Sequence, residues 1–241
     1  MDRLRTIGLT KTYGGVPVVD DIDLEFVSGR VTALLGRNGA GKTTTFLMIA
    51  GIVRPDCGRV ELNNESVNDI PSTARARKGL IYLPQQHSVF MKASALDNLF
   101  MVLEMLHPAA EARDRALELL GEFGLLAVKD SMAYQLSGGE KRRLEIARAL
   151  IMKPRFLFLD EPFTGIDPIT ILDIQKVILR LKAMGIGLVI TDHNVKDAFY
   201  ITDLAYIIHK GRILSSGTPA EVVREEKTRQ VFLGKDFAWN G

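Results

Sequence analysis

The chain has 241 residues, 46% of them hydrophobic and 25% charged, enough apolar material to bury one sizeable core. Lys and Arg number 31 against 29 Asp and Glu, and a net charge of +2 supplies no broad basic footprint for nucleic acid or an anionic membrane. A single cysteine, Cys57, excludes an internal disulfide framework and fits a reducing compartment, and no apolar stretch approaches the about 20 residues that cross a bilayer.

The charged start, Met1-Asp2-Arg3-Leu4-Arg5, precedes no apolar run of signal-peptide length, so no secretory leader is expected. Residues 22–26 and 58–62 read as half-exposed, alternating strands that suit an antiparallel side sheet. Between them Val31–Leu35 is a short β-rich run ending at Gly36, and a helix carrying Phe46, Leu47 and Ile49 is predicted from Gly41 onward. The junction, Gly36-Arg37-Asn38-Gly39-Ala40-Gly41-Lys42-Thr43 followed by Thr44, matches GxxxxGK[ST] in the strand-to-helix context that phosphate binding demands. Its glycines let successive N–H groups and the helix start point at phosphates, Lys42 compensates the β/γ charge, and the Thr43 hydroxyl is a Mg²⁺ ligand.

Further buried strands are predicted at Leu80–Leu83 and at residues 155–159 and 188–191. Strand signals vanish between residues 94 and 153, where helix formers dominate. The expected division is one domain over 1–241, with 1–93 and 154–241 as catalytic core and side sheet and 94–153 as a helical lobe. Toward the C-terminus a hairpin is predicted around Lys210-Gly211, followed by a helix whose start, Thr218-Pro219-Ala220-Glu221, has the composition of a capping box. Short apolar runs alternating with helical patterns make the fold class α/β.

The apolar run Phe156-Leu157-Phe158-Leu159 ends in Asp160-Glu161, and Pro162 stops the strand there. Beside a phosphate loop, an aspartate in this place holds Mg²⁺, usually through water, so Asp160 is a metal candidate and Glu161 is placed to polarise the attacking water. Taken alone, the pair is also a solvated acidic turn. Leu136-Ser137-Gly138-Gly139-Glu140 precedes a helical run and offers a second anion-binding surface of hydroxyl, glycine N–H groups and helix N-terminus; its plainer reading is a helix capped by Ser137.

This last stretch resembles the signature motif of ABC ATPases, and with it the resemblance extends over nearly the whole chain. It implies a P-loop ABC ATPase domain with an antiparallel β side sheet and an inserted α-helical lobe. By the same resemblance Tyr13 stacks on adenine, Gln85 joins Mg²⁺ and the attacking water to the helical lobe, Asp167 contacts a second subunit, and His193 is the switch histidine. The plainer readings are a surface aromatic, a loop amide, an Asp-Pro turn and a helix cap. Family membership further implies a homodimer in which each ATP lies between the P-loop of one chain and Ser137, Gly138 and Gly139 of the other.

Leu136 follows Lys42 without sustained heptads between them, and only one cassette is present, which favours a transporter subunit over ABC ATPases acting on DNA or ribosomes. Thr73-Ala74-Arg75-Ala76-Arg77-Lys78-Gly79, Tyr82-Leu83-Pro84-Gln85-Gln86, Asp97-Asn98-Leu99, Ile190-Thr191-Asp192-His193-Asn194-Val195 and Phe232-Leu233-Gly234-Lys235-Asp236-Phe237 are similar to the ATP-binding subunits of bacterial lipopolysaccharide-export systems. Branched-chain amino-acid importers share much of this layout. Two departures stand out: Arg37 replaces the usual P-loop proline, and Met91-Lys92 a more basic pair. The resemblance implies two transmembrane subunits docking near residues 85–98, Val89 and Phe90 included, and a cytoplasmic site on the bacterial inner membrane held through those partners. A core position is the plainer reading of Phe90, and a solvated helix face that of the charged tail 224–234.

Overall fold

A computed structural model describes residues 1–234 together with Phe237 and Trp239. Of the stretch Phe232 to Phe237, Lys235 and Asp236 lie outside the described residues.

The chain begins with a hairpin, β1 (Arg3–Tyr13) and β2 (Val16–Val27), followed by β3 (Val31–Leu35) and α1 (Lys42–Ala50). Next come β4 (Cys57–Leu62), β5 (Glu65–Ser66), α2 (Ser72–Arg77) and β6 (Leu80–Leu83). A helical stretch holds α3 (Ala95–Leu103), α4 (Ala109–Glu122) and α5 (Gly138–Leu150). The chain then returns to strands with β7 (Phe156–Asp160), α6 (Pro168–Ala183), β8 (Gly187–Thr191), α7 (Val195–Ile201), β9 (Leu204–His209), β10 (Arg212–Gly217) and α8 (Pro219–Arg224).

Two sheets result. The antiparallel one runs β2-β1-β4-β5, and the larger runs β10-β9-β3-β8-β7-β6. In the larger sheet β9, β3, β8, β7 and β6 are mutually parallel, and only β10 joins antiparallel. Parallel strands covered on both faces are apolar without alternation, and β3, β7 and β8 are buried at every position. Their side chains divide between two cores. Val31, Ala33, Leu35, Leu157 and Leu159 face a helical layer, whereas Leu34, Phe156 and Phe158 face the side sheet and α1. In the second core Phe158 meets Phe46 and Phe26 edge-on, with ring centroids 5.1 and 5.8 Å apart.

β1 has no counterpart in the sequence reading, which placed a strand only at residues 22–26 of this hairpin. Charged side chains and register shifts beyond Thr6 break the alternation of β1. It is nonetheless central to the side sheet, because β2 and β4 pair with its two edges. The 16-residue α6 starts where the plainer reading of Asp167 is an Asp-Pro turn, and no helix is predicted there from the sequence. The β9–β10 hairpin forms around Lys210 and Gly211, both at positive φ, and Thr218 and Glu221 make the predicted capping box.

Arg75, 2% exposed, donates to the carbonyls of Met48 and Ile49 at 2.8 Å each. A guanidinium thus covers the negative end of α1, the helix that starts at Lys42.

Candidate functional site

In a parallel sheet every strand delivers its following loop to the same edge, and that topology assembles the site. Gly36 follows β3, Gln85 lies beyond β6, Glu161 follows β7, and His193 lies beyond β8. A cleft of about 290 Å³ is lined there by Val18, residues 38–44, Gln85 and Glu161. A larger hollow, of about 610 Å³, is lined by Arg77, Leu106, Leu119 and Met152 among others and contains none of the candidate site residues.

The loop before α1 needs its glycines where backbone crowds it. A Cβ at Gly36 would come within 2.3 Å of the Ile208 carbonyl, and Gly41, at φ 110°, would push one to 2.6 Å from the Val18 carbonyl. Lys42, only 6% exposed, folds back to donate to the carbonyls of Gly36 at 2.8 Å and Arg37 at 3.3 Å. Burial lowers its pKa, and the carboxylates of Glu161, Asp160 and Asp192 oppose that shift.

Asp160 is 2% exposed and is held by three hydroxyl groups. Thr191 Oγ1 donates to its Oδ1 at 2.6 Å, and Thr43 Oγ1 and the Tyr82 hydroxyl donate to its Oδ2 at 2.9 and 3.0 Å. Burial, reinforced by the Asp160 charge, raises the Tyr82 pKa, so the phenol remains a donor. Glu161 stands in the left-handed region, at φ 45°, an uncommon conformation for a residue with a Cβ. Its N–H donates to Thr191 Oγ1 at 3.0 Å. Its Oε2 accepts from Gln85 Nε2 at 2.9 Å and from Thr164 Oγ1 at 3.1 Å, and His193 Nδ1 lies 3.5 Å away. Thr164 Oγ1 is also 3.3 Å from His193 Nδ1, so glutamate, threonine and histidine share one contact cluster.

Behind this edge Arg142 of α5, 3% exposed, donates to the carbonyls of Pro84 at 3.1 Å and Asp160 at 3.4 Å and pairs with buried Glu145 at 3.2 Å. Glu145 in turn accepts from the Ser88 N–H and contacts His87 Nδ1. Asp192, fully buried, accepts from the N–H groups of Phe163 at 3.0 Å and Asn194 at 2.8 Å; burial raises its pKa against those bonds.

The remaining sequence candidates lie outside this cleft. Ser137 caps α5: its Oγ accepts from the Glu140 N–H at 3.2 Å while Glu140 Oε2 accepts from the Ser137 N–H at 2.8 Å, a capping box. Asp167 caps α6 by accepting from Ile169 and Thr170 N–H groups at 3.1 and 3.0 Å and from Thr170 Oγ1 at 2.6 Å. The two caps are neighbours, since a Cβ at Gly139 would sit 2.0 Å from Thr170 Cγ2 and one at Gly138 3.9 Å from the Gly165 carbonyl. Both plainer readings are therefore realised locally, on one surface made of two helix starts. Tyr13, 48% exposed at the end of β1, carries Lys11 Nζ 5.5 Å from its ring centre. Asn194, not His193, occupies the cap position of α7.

Phe90 is 49% exposed and packs against the Arg148 guanidinium, 5.0 Å from its ring centre, so it is not a core residue. Val89 is buried, and Asn98, fully buried, ties the loop by accepting from the Phe90 N–H at 2.7 Å. These two residues of the predicted docking stretch point inward.

Sequence reasoning missed Thr191, Tyr82, Thr164 and Arg142. A threonine closing an apolar run and a hydroxyl three positions beyond Glu161 were the available signals. Neither carries meaning until the strands are laid side by side.

A glycine loop cradled between a parallel strand and a helix, an acid pair at the end of a strand of the same sheet, and an inserted helical stretch with a capped Ser-Gly-Gly start define an ATP-binding cassette. Residues 19–164 match the family model "ABC transporter", and the chain belongs to that family, as an ATP-binding domain whose activity is ATP hydrolysis. It is 50% identical over 235 residues to the lipopolysaccharide export system ATP-binding protein of Acidithiobacillus ferridurans, covering 97% of this chain and 98% of that protein. Its fold is similar to the ADP conformation of an ABC transporter ATP-binding cassette, at TM-score 0.87 and 27% identity, covering 98% and 100% of the two chains. It is also similar to a dimeric bacterial ABC transporter cassette, at TM-score 0.79 and 25% identity, covering 89% and 98%.

Proposed function

We propose that this chain hydrolyses Mg-ATP at the described cleft within a head-to-tail homodimer and powers lipopolysaccharide export by membrane partners. The observation that carries the reading is the Glu161 carboxylate, held by Gln85 and Thr164 beside His193 on the wall of the glycine-loop cleft. In this reading Glu161 accepts the proton of the attacking water, Gln85 and His193 position that water, and Lys42 with the loop N–H groups of residues 38–44 binds the phosphates.

The donor set suits Mg²⁺, which prefers oxygen ligands: the Thr43 hydroxyl, the Gln85 amide oxygen and, through water, Asp160. No group of three or more His, Cys, Asp or Glu able to hold a metal occurs among the described residues. When bound, Mg²⁺ neutralises charge developing on the phosphate oxygens.

The Ser137 and Asp167 caps form a surface separate from the cleft, as expected if Ser137, Gly138 and Gly139 close over a nucleotide held by a second copy. The likeness to a dimeric bacterial ABC transporter cassette supports the dimer. Tyr13, exposed near the cleft-lining Val18 along the same hairpin, is assigned to the adenine ring. No described helix is long and apolar enough to cross a membrane. Phe90 and Arg148 border a hollow of about 370 Å³ beside Met152, and this is the surface assigned to the two transmembrane partners, which hold the chain at the inner membrane's cytoplasmic face. The cargo assignment rests on the high identity to an export-system subunit along nearly the full length of both chains.

The test is purification of the tagged Glu161→Gln chain with ATP from host membranes. The variant is expected to retain ATP and its dimer while hydrolysis falls by about 10² to 10⁴, and two lipopolysaccharide-export membrane subunits should accompany it. Near-normal turnover would sink the base assignment, and recovery with amino-acid permease subunits would overturn the cargo.

A further inference from the structure

Asp160 closes β7 with little room to choose its own rotamer, because three hydroxyl donors converge on it from three separate elements. Thr43 belongs to α1 and, in the proposed function, is itself engaged by metal and phosphate. Thr191 closes β8 and also accepts from the Glu161 N–H. Tyr82 has neither duty. It lies on β6, paired in parallel register with Phe158 of β7, and its ring is set edge-on to Phe46 at 6.4 Å. The phenol therefore approaches Asp160 Oδ2 from a rigid strand and an aromatic support.

The same strand leads through Leu83 and Pro84 to Gln85, whose amide donates to Glu161. One short segment thus contacts both acids, Asp160 through Tyr82 and Glu161 through Gln85, and Arg142 clamps it by bonding the Pro84 and Asp160 carbonyls. A carboxylate whose oxygens are fixed by outer hydrogen bonds presents its remaining lone pairs in one direction, which is how a surrounding shell raises the affinity of a metal site.

We propose that Tyr82 is a positioning residue for the Mg²⁺ site: its hydroxyl fixes the Asp160 carboxylate in the orientation that serves the metal of Mg-ATP. The inference rests on the metal site proposed above and adds a residue to it. Its physical content is narrow. Loss of the hydroxyl should weaken the Mg²⁺-dependent part of nucleotide binding and leave metal-free binding as it is, because Tyr82 is not among the residues lining the nucleotide cleft.

The experiment is an equilibrium titration of a fluorescent ATP analogue against the full chain over a series of free Mg²⁺ concentrations, with EDTA as the metal-free limit. Both proteins carry Glu161→Gln, so no turnover intervenes, and one also carries Tyr82→Phe. The Mg²⁺ concentration for half-maximal binding is expected to rise about 10-fold in the Phe variant, the usual weight of an outer-shell partner, with the EDTA-limit affinity and Tm unchanged. Tyr82→Leu, which also loses the ring, should show the same metal shift with a lowered Tm. An unshifted Mg²⁺ dependence in the Phe variant, or an equal loss with and without metal, overturns the role of the Tyr82 hydroxyl while leaving the metal site standing. A parent protein whose nucleotide binding ignores Mg²⁺ overturns the metal site as well.

Discussion

At Glu161 the backbone takes a left-handed turn at φ 45°, and Thr191 is what holds it there. The Thr191 hydroxyl accepts from the Glu161 N–H and donates to Asp160, so one fully buried side chain orients the backbone of one acid and the carboxylate of the other. Valine has nearly the same shape and neither bond. Thr191→Val is expected to lower stability by about 1–3 kcal/mol, the cost of leaving the buried Asp160 Oδ1 without this donor and the part-buried Glu161 N–H unpaired, and to slow hydrolysis by about 10- to 100-fold through misplacement of Glu161. Urea denaturation and steady-state ATPase rates check the two halves separately. A variant as stable and as active as the parent would remove Thr191 from the account. None of this could be read along the chain, because Thr191 and Glu161 are 30 positions apart and meet only when β7 and β8 pair.

At the scale of the element, α1 shows how one helix serves two ends. Its start carries Lys42 and Thr43, and its end is covered by the Arg75 guanidinium, which also donates to Asn68 and Ile70 carbonyls. Gly51 makes room for it, since a Cβ there would lie 2.6 Å from Arg75 Nε. Arg75→Met keeps much of the volume but leaves the Ile49 carbonyl without its donor and the Met48 carbonyl with the Gly51 N–H alone, and a loss of about 2–4 kcal/mol is expected in denaturant titration. Arg75→Lys, which keeps charge but not the planar fork, should fall between. The Thr73 to Gly79 stretch was legible in the sequence as a family resemblance only. Its physical task became visible once α2 was seen to pack across the end of α1.

Across the whole molecule, several carboxylates are held below their ordinary pKa range by hydrogen bonds. A Lys11 bond acts on Asp56, an Arg59 bond on Glu61, and a Thr170 bond on Asp167, while the Thr218 N–H acts on Glu221. For an acid whose folded pKa lies below the unfolded one, the unfolded chain takes up protons first as pH falls. The stability these groups supply is therefore complete above their ordinary values of 3.8 and 4.5 and is lost as pH drops through the lower folded values. The urea midpoint is expected to be level near neutral pH and to fall below about pH 4.5, and Asp56→Asn should make that fall shallower. A midpoint unchanged into strong acid would contradict the bonding pattern.

The division between what was and was not legible follows from range. Motifs contiguous in sequence, Gly36 to Thr44 and Phe156 to Glu161, carry their own strand, turn and helix signals, so the α/β class, the glycine loop and the acid pair were determined by the chain itself. The irregular β1 escaped, because its place at the centre of the side sheet comes from pairing with β2 and β4 and not from its own pattern. Only the tertiary structure decided that Gln85, Thr164 and His193 converge on Glu161, that Tyr82 and Thr191 hold Asp160, and that the Ser137 and Asp167 caps share a surface of their own. Hydrogen bonds act over about 3 Å of space, and parallel strand order, which no local run encodes, sets which distant residues come within that reach.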